Sequence, residues 1–338
     1  MRSSIFAPAF LATALVLASL AAKAEGPLTI ARQGSLEAGG ETVFCTTNDG
    51  GDPLSTRWPK GRVRVSHVYA SYQYPFEQKY KYPILFNPGG GHTARVYDTT
   101  PDGREGWLNM FIRKGWDVYV SDAVERGRAG FASADVWPSE PIFLNYADPF
   151  ERFRIGDGEG SWNADPAKRR VLPGNQFPVE AYDNYMRQAV PRWLSTDKAV
   201  VDAYVALVDK VCPCVLLLHS QGGAFGFRVA EQRPDKVKAI VAVESATAGD
   251  AGKAAALKNT PTLMLFGDYV DQHPRWAAYK KIDLEYAAAV RAGGGTVDVI
   301  NLPDIGIKGN SHMLMQDKNN AEIADVIQIW MVGKGLVE

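Results

Sequence analysis

The chain has 338 residues, 46% of them hydrophobic and 11% aromatic, with a formal net charge of -1. The near-neutral balance and the lack of a basic tail or patch argue against a nucleic-acid partner. Three cysteines, Cys45, Cys212 and Cys214, are too few for a disulfide-stapled scaffold.

Residues 1–24 read as a secretory leader. Arg2 supplies a positive start, Phe6–Ala21 is almost wholly apolar, and Ala22-Lys23-Ala24 is a small-residue cleavage site. The apolar run is short and no stop-transfer charges follow, and no later segment is long enough to span a bilayer, so no stable membrane insertion is expected. Without Arg2 and Lys23 the charge of -1 becomes -3. The mature chain, 25–338, is expected to be periplasmic or secreted and to form one large domain carrying a cap. Export permits disulfides, but a bridge between Cys212 and Cys214 would be strained. Buried thiols, or Cys45 joined to one of the other two, are the expectation. Cys-Pro-Cys without a fourth ligand is poor evidence for a metal.

Leu28–Cys45, broken at Gly39-Gly40, predicts a hairpin, and Arg62–Tyr74 alternates as a further strand. Tyr82–Asn87 is a short buried strand stopped by Pro88-Gly89-Gly90-Gly91. Thr99–Arg104 is a turn, Trp107–Lys114 a helix ended by Gly115, and Trp116–Ser121 the next strand. Asp122–Gly130 lacks the Gly-Lys-Ser/Thr ending of a phosphate loop and reads as a structured loop near a cleft. Phe131–Phe177 shows no regular period. Its aromatics and prolines mark a lid or binding excursion, set at about 131–195 with its flanks. Glu180–Trp193 and Lys198–Lys210 predict helices. Strands then alternate with helices: Val215–Leu218, Val237–Val243, Thr262–Phe266 and Thr296–Asn301, with helices over Ala224–Gln232, Arg275–Ala292 and Ala321–Met331. This alternation predicts an α/β fold with a mostly parallel central sheet flanked by helices. Reactive groups then collect in loops at the strands' carboxyl ends.

The stretch Val215–Phe225 carries the chemistry. A buried apolar strand gives way to His219 and Ser220, then to glycines and a helix. This is the build of a nucleophile elbow, although Leu218 stands where Gly-x-Ser-x-Gly has its first glycine. A serine hydroxyl needs a base, and the base a carboxylate to orient it. Of the five histidines, His67 lies in a strand, His92 precedes the serine, His219 adjoins it on the strand, and His273 starts a helix. His312 follows the last strand, where the base of such a hydrolase falls in chain order. For the acid, Asp268 after the seventh strand and Glu244 after the sixth both fit, and spacing alone leans to Asp268. The oxyanion donors expected are the Gln221 N–H and the N–H groups of Gly90 or Gly91. No cofactor or metal is implied.

With these parts in place, the chain resembles the serine α/β-hydrolases, and more closely a small family of exported bacterial carboxylesterases. The likeness runs from about Leu28 to Met331. It is carried by Thr99–Arg104, Arg113–Trp116, Gln176–Val179, His219–Gly222, Val243–Ser245, Phe266–Asp268, Pro274–Trp276 and, most specifically, Gly309–Asn320. The resemblance implies a Ser-Glu-His triad with its acid after the sixth strand, hence Glu244 in place of Asp268. Here Ser245 replaces that family's proline. The family's oxyanion loop can carry two adjacent cysteines, where this chain has Gly90 and Gly91. The implied reaction is hydrolysis of a small carboxylic ester through an acyl-enzyme on Ser220. The alternatives are amidase, lactonase or carbon–carbon bond hydrolase chemistry on the same triad, and a non-catalytic binding protein. A homodimer is compatible with an apolar cap surface.

Overall fold

The computed structural model describes residues 26–45 and 61–336; the leader expected at 1–24 lies outside them. In chain order the elements are β1 Ile30–Cys45, β2 Gly61–Pro75, β3 Ile84–Asn87, α1 Arg95–Asp98, α2 Trp107–Lys114, β4 Val118–Asp122, α3 Ala147–Arg152 and α4 Tyr182–Met186. There follow α5 Asp197–Val211, β5 Cys214–His219, α6 Gln221–Gln232, β6 Val237–Val243, β7 Thr262–Phe266, α7 Pro274–Ala292, β8 Val297–Asn301 and α8 Asn320–Gly333. The strands form one sheet in the order β1-β2-β4-β3-β5-β6-β7-β8. β1 pairs antiparallel with β2, and β2 with β4; from β4 to β8 every pairing is parallel.

Strands β3, β4, β5 and β7 are buried along their whole length, and β6 except at Lys238. That is why these segments read as apolar runs instead of alternating ones. Each buried Leu, Val or Phe contributes about 1.5–3 kcal/mol by leaving water. Helix α2 turns Trp107, Leu108, Phe111 and Ile112 inward and ends at Gly115, whose φ of 99° lets its N–H reach back to the carbonyls of Phe111 and Ile112. Trp107 and Trp116 fasten this region to the C-terminal helix, donating to the Asn320 carbonyl at 2.9 Å and to Gln328 Oε1 at 2.6 Å.

Three details depart from the sequence expectation. The N-terminal hairpin is β1 with β2, not a fold within Leu28–Cys45: β1 runs straight through Gly39-Gly40. Gly39, at φ +70°, is where α5 crosses the strand, and a Cβ there would stand 2.8 Å from Ala203 Cα. The helix expected over Glu180–Trp193 shrinks to α4. Beyond it the chain straightens before Pro191; Val190 donates to the Gly91 carbonyl at 2.9 Å, and Arg192 pairs with Ile142. The third correction concerns the cysteines. Cys212 and Cys214 are joined in a disulfide, their Cα atoms 4.4 Å apart. An extended chain would hold those atoms about 6.5 Å apart, but Pro213 bends it between α5 and β5. Cys45 keeps its thiol, which shares a hydrogen bond with Ser133 Oγ at 3.0 Å.

Candidate active site

Because β3 and β5–β8 run parallel, the loops after them open on one edge of the sheet. Pro88–Gly91 follows β3, Ser220 follows β5, Glu244 follows β6, Asp268 follows β7, and the loop with His312 follows β8.

Ser220 has φ 52° and ψ -122° at the sharp turn from β5 into α6. Its N–H donates to the Val243 carbonyl at 3.2 Å, and its own carbonyl accepts from Gly223 N at 2.9 Å and Ala246 N at 3.0 Å. The local backbone thus holds a conformation that a non-glycine residue adopts only under constraint. The room for it comes from glycines. A Cβ on Gly222 would press on the Asn87 and Pro88 carbonyls, and one on Gly226 would overlap Leu218 Cδ2. Gly226 accounts for the missing first glycine of the elbow: the space that Leu218 takes from the strand is returned one helical turn later.

Glu244, also at positive φ (46°), is the carboxylate that meets the histidine. Its Oε2 lies 2.9 Å from His312 Nδ1. Its Oε1 accepts from Gly267 N at 2.7 Å and from Arg154 Nη2 at 2.5 Å. Asp268, favoured by spacing, is occupied elsewhere: its carboxylate accepts from Tyr269 N at 2.8 Å and Gly309 N at 2.9 Å. It braces the two loops and does not bond the imidazole.

His312 is wholly buried, its ring 3.8 Å from that of Trp276, 4.7 Å from His219 and 4.8 Å from Phe153, centroid to centroid. His219 Nε2 donates to the His312 carbonyl at 3.0 Å, and the His312 N–H donates to the Phe153 carbonyl at 2.9 Å. Asp317 ties the loop before it, accepting from Ser311 N, Ser311 Oγ and Asn310 Nδ2. Burial first, and then the charges of Arg154 and Arg152, hold the His312 pKa well below 6.5. The ring is therefore neutral near pH 7, as a proton acceptor must be. Nδ1 donates to Glu244, which leaves the Nε2 lone pair as the basic site. Nε2 has no hydrogen-bond partner among the described residues, so its lone pair is not engaged by any of them and is open to a proton.

The glycine loop is held by its carbonyls. Gly89 O accepts from Arg126 Nη1 at 2.9 Å, Gly90 O from His92 Nδ1 at 3.0 Å, and Gly91 O from Val190 N at 2.9 Å. A trans peptide points its C=O and N–H in opposite directions. Anchoring the Gly89 and Gly90 carbonyls therefore fixes where the Gly90 and Gly91 N–H groups aim. A Cβ on Gly89 would stand 2.9 Å from Ser220 Cβ, which places the loop against the nucleophile. The Gln221 N–H begins α6, where no intrahelical acceptor exists. His92 Nε2 meets the Tyr185 hydroxyl at 3.0 Å, and burial lowers its pKa to about 3.

Sequence reasoning missed Arg126 and Arg154, both buried. Arg126 also donates to Gln221 Oε1 at 2.9 Å, so the loop Asp122–Gly130 does lie at the cleft, as expected of it. Arg154 lies in the aperiodic excursion and bonds both Glu244 and, from Nε at 2.8 Å, the Asp268 carbonyl. Nothing in its local sequence signals these long-range partners. His67, in β2, lies outside this network, and His273 starts α7 as expected.

An eight-stranded, mostly parallel sheet with a strained serine after β5, a glutamate after β6 and its histidine after β8 defines an α/β-hydrolase of the serine ester hydrolase class. No family model matches the chain. Among solved structures, 93% of the chain matches 99% of a protein described as a novel bacterial esterase, at 33% identity and a TM-score of 0.83. The chain belongs to that esterase family. A probable secreted lipase, phiG, from Fungal sp. (strain ATCC 74256) is 26% identical over 356 residues, covering 83% of this chain and 90% of that one. The protein is accordingly a carboxylic ester hydrolase that works through a serine. Among the described residues no helix is long and apolar enough to cross a membrane.

Proposed function

We propose that Ser220, His312 and Glu244 act as nucleophile, base and orienting acid in the hydrolysis of a small carboxylic ester. His312 Nε2 takes the proton from Ser220 Oγ as the oxygen attacks the ester carbonyl. Glu244 keeps the Nδ1–H tautomer and stabilises the imidazolium. The N–H groups of Gln221 and of Gly90 or Gly91 receive the oxyanion. His312 returns the proton to the departing alcohol. Water, deprotonated by the same ring, then frees the acid from the acyl-enzyme. The observation that carries this assignment is the 2.9 Å contact of Glu244 Oε2 with His312 Nδ1 beside the strained turn of Ser220.

A fluorophosphonate is expected to add one phosphonyl group to Ser220, with Ser220→Ala unlabelled and inactive. Glu244→Ala is expected to lower kcat about 10³–10⁴-fold, as loss of an orienting acid does. Asp268→Ala is expected to cost less than about 10-fold in kcat together with about 1–3 kcal/mol of stability from the unpaired N–H groups. The reverse ranking would assign the acid to Asp268. Export rests on the leader pattern at 1–24 and on the description of the fungal relative as secreted. Processing near Glu25 would appear as the N-terminus of the protein recovered outside the cytoplasm. The segment at about 131–195 acts as the cap: its residues Phe153 and Arg154 reach His312 and Glu244 directly.

A further inference from the structure

We propose that the preferred esters carry a carboxylate a short chain away from the scissile carbonyl, and that the Arg192 guanidinium binds it. The proposal rests on the ester-hydrolase reading of Ser220 and names the substrate class for that site.

Four arginines lie around the glycine loop, Glu244 and His312, and three are committed. Arg126 is bound to Gly89 O and Gln221 Oε1, Arg152 to the Asp148 carboxylate, and Arg154 to Glu244 Oε1 and the Asp268 carbonyl. Arg192 is different. Its backbone is pinned by paired hydrogen bonds with Ile142, at 2.7 and 3.1 Å. Its side chain runs along the oxyanion loop: a Cβ on Gly90 would lie 3.5 Å from both Arg192 Cδ and Nε. Yet its guanidinium makes no hydrogen bond or ion pair with any described residue, although Arg192 is only partly exposed.

Two acids, Glu125 and Asp197, lie near enough to favour its charge, but neither forms an ion pair or hydrogen bond with it. Glu125 Oε2 accepts from Trp193 N at 2.8 Å and Thr196 Oγ1 at 2.5 Å, and Oε1 faces Arg126 at 3.4 Å. Burial and the like charges of Arg126 and Arg152 depress the Arg192 pKa. An arginine stays protonated all the same. A half-desolvated cation beside two others, with five donors unused, is costly in the free protein. A ligand carboxylate would satisfy the planar fork with two parallel hydrogen bonds and offset the surplus charge. Because the fork starts at the loop proposed to bind the oxyanion, the anionic group must lie close to the ester, not at the far end of a long chain.

The test compares monoethyl glutarate with ethyl pentanoate, and monoethyl succinate with ethyl butyrate, by ethanol release. Wild type is expected to favour the half-esters roughly 10–100-fold in kcat/KM, the range of a hydrogen bond to a charged group. The preference is expected mainly in KM, and to weaken as salt is raised. In Arg192→Gln the ratio is expected to fall to about one or below, and Arg192→Lys to retain part of it. A ratio near one in wild type, or a preference that Arg192→Gln leaves intact, overturns the proposal. So does an equal loss on both esters, which would make Arg192 structural. Binding is read separately, as the rise in unfolding temperature caused by free glutarate: present in wild type and absent in Arg192→Gln supports the site, and equal in both overturns it. If neither ester is cleaved and a fluorophosphonate leaves Ser220 unlabelled, the hydrolase reading fails instead, and the glutarate measurement still decides the anion site.

Discussion

Arg154 Nη2 and Gly267 N together hold Glu244 Oε1, and so turn Oε2 toward His312. The same guanidinium lowers the His312 pKa, second only to burial. A cation therefore fixes the acid and also keeps the base neutral. In the pH dependence of kcat/KM, the acid limb belongs to protonation of the free enzyme's base. With the His312 pKa held well below 6.5, that limb is expected below pH 6.5, and activity should stay flat from there to neutrality. Arg154→Gln removes a charge that disfavours the imidazolium and leaves the Glu244 charge less compensated. Both changes raise the His312 pKa, so the limb should move up toward pH 6.5. Arg154→Lys keeps the charge and should hold the limb near its wild-type position even if kcat falls. A pH–rate profile in which both variants keep the wild-type limb would detach Arg154 from the titration of the base.

Between β5 and α6, a leucine and a glycine have exchanged the usual places. Leu218 fills the position where the elbow motif has glycine, and Gly226 leaves the gap that its side chain occupies. Gly226→Ala is expected to cost about 1–3 kcal/mol, since Leu218 is fully buried and has nowhere to move. Combining it with Leu218→Ala should recover part of that loss, giving a non-additive cycle in thermal unfolding; strict additivity would show that the two residues do not share the space. At this scale the sequence was readable wherever information is local. The apolar runs of β5, β6 and β7, the glycine cap of α2, and the serine turn each follow from contiguous residues. Glu244 was not separable from Asp268 by spacing, because the choice depends on which way each carboxylate turns. Glu244 points at the ring from a positive-φ turn, while Asp268 is drawn back to Tyr269 N and Gly309 N. The C-terminal half of the helix expected over Glu180–Trp193 yields to a tertiary bond, Val190 to Gly91, that no local propensity encodes. The disulfide was misjudged by treating Cys212–Cys214 as extended, when Pro213 turns the chain there.

Across the whole molecule, two sets of buried groups pull stability in opposite directions with pH. His92, His219 and His312 are neutral in the fold, their pKa values depressed chiefly by burial, the first two to about 3. Their contribution is complete above pH 6.5 and is lost as pH falls toward 3, because the unfolded chain then binds protons that the fold refuses. Asp283 and Asp317 are also buried, and burial raises both, Asp317 to about 7 and Asp283 well above the usual carboxylate range. Their contribution is complete below the unfolded value near 3.9. It is lost as pH rises through the folded value. Below about pH 6.5 the histidines oppose the acids; above it the acids act with no histidine left to offset them, so stability should decline toward alkaline pH. Asp317 accepts three hydrogen bonds and holds the His312 loop. Asp283 differs, since neither carboxylate oxygen has a partner among the described residues. Asp283→Asn removes only the cost of taking up a proton on folding. Its stability advantage over wild type should grow as pH rises above the unfolded value near 3.9, by at most about 1.4 kcal/mol per pH unit, read from urea unfolding of both proteins at each pH from 5 to 7. Unfolding curves that keep a constant separation across that range would mean that Asp283 is ionised inside the fold and has found a counter-charge there.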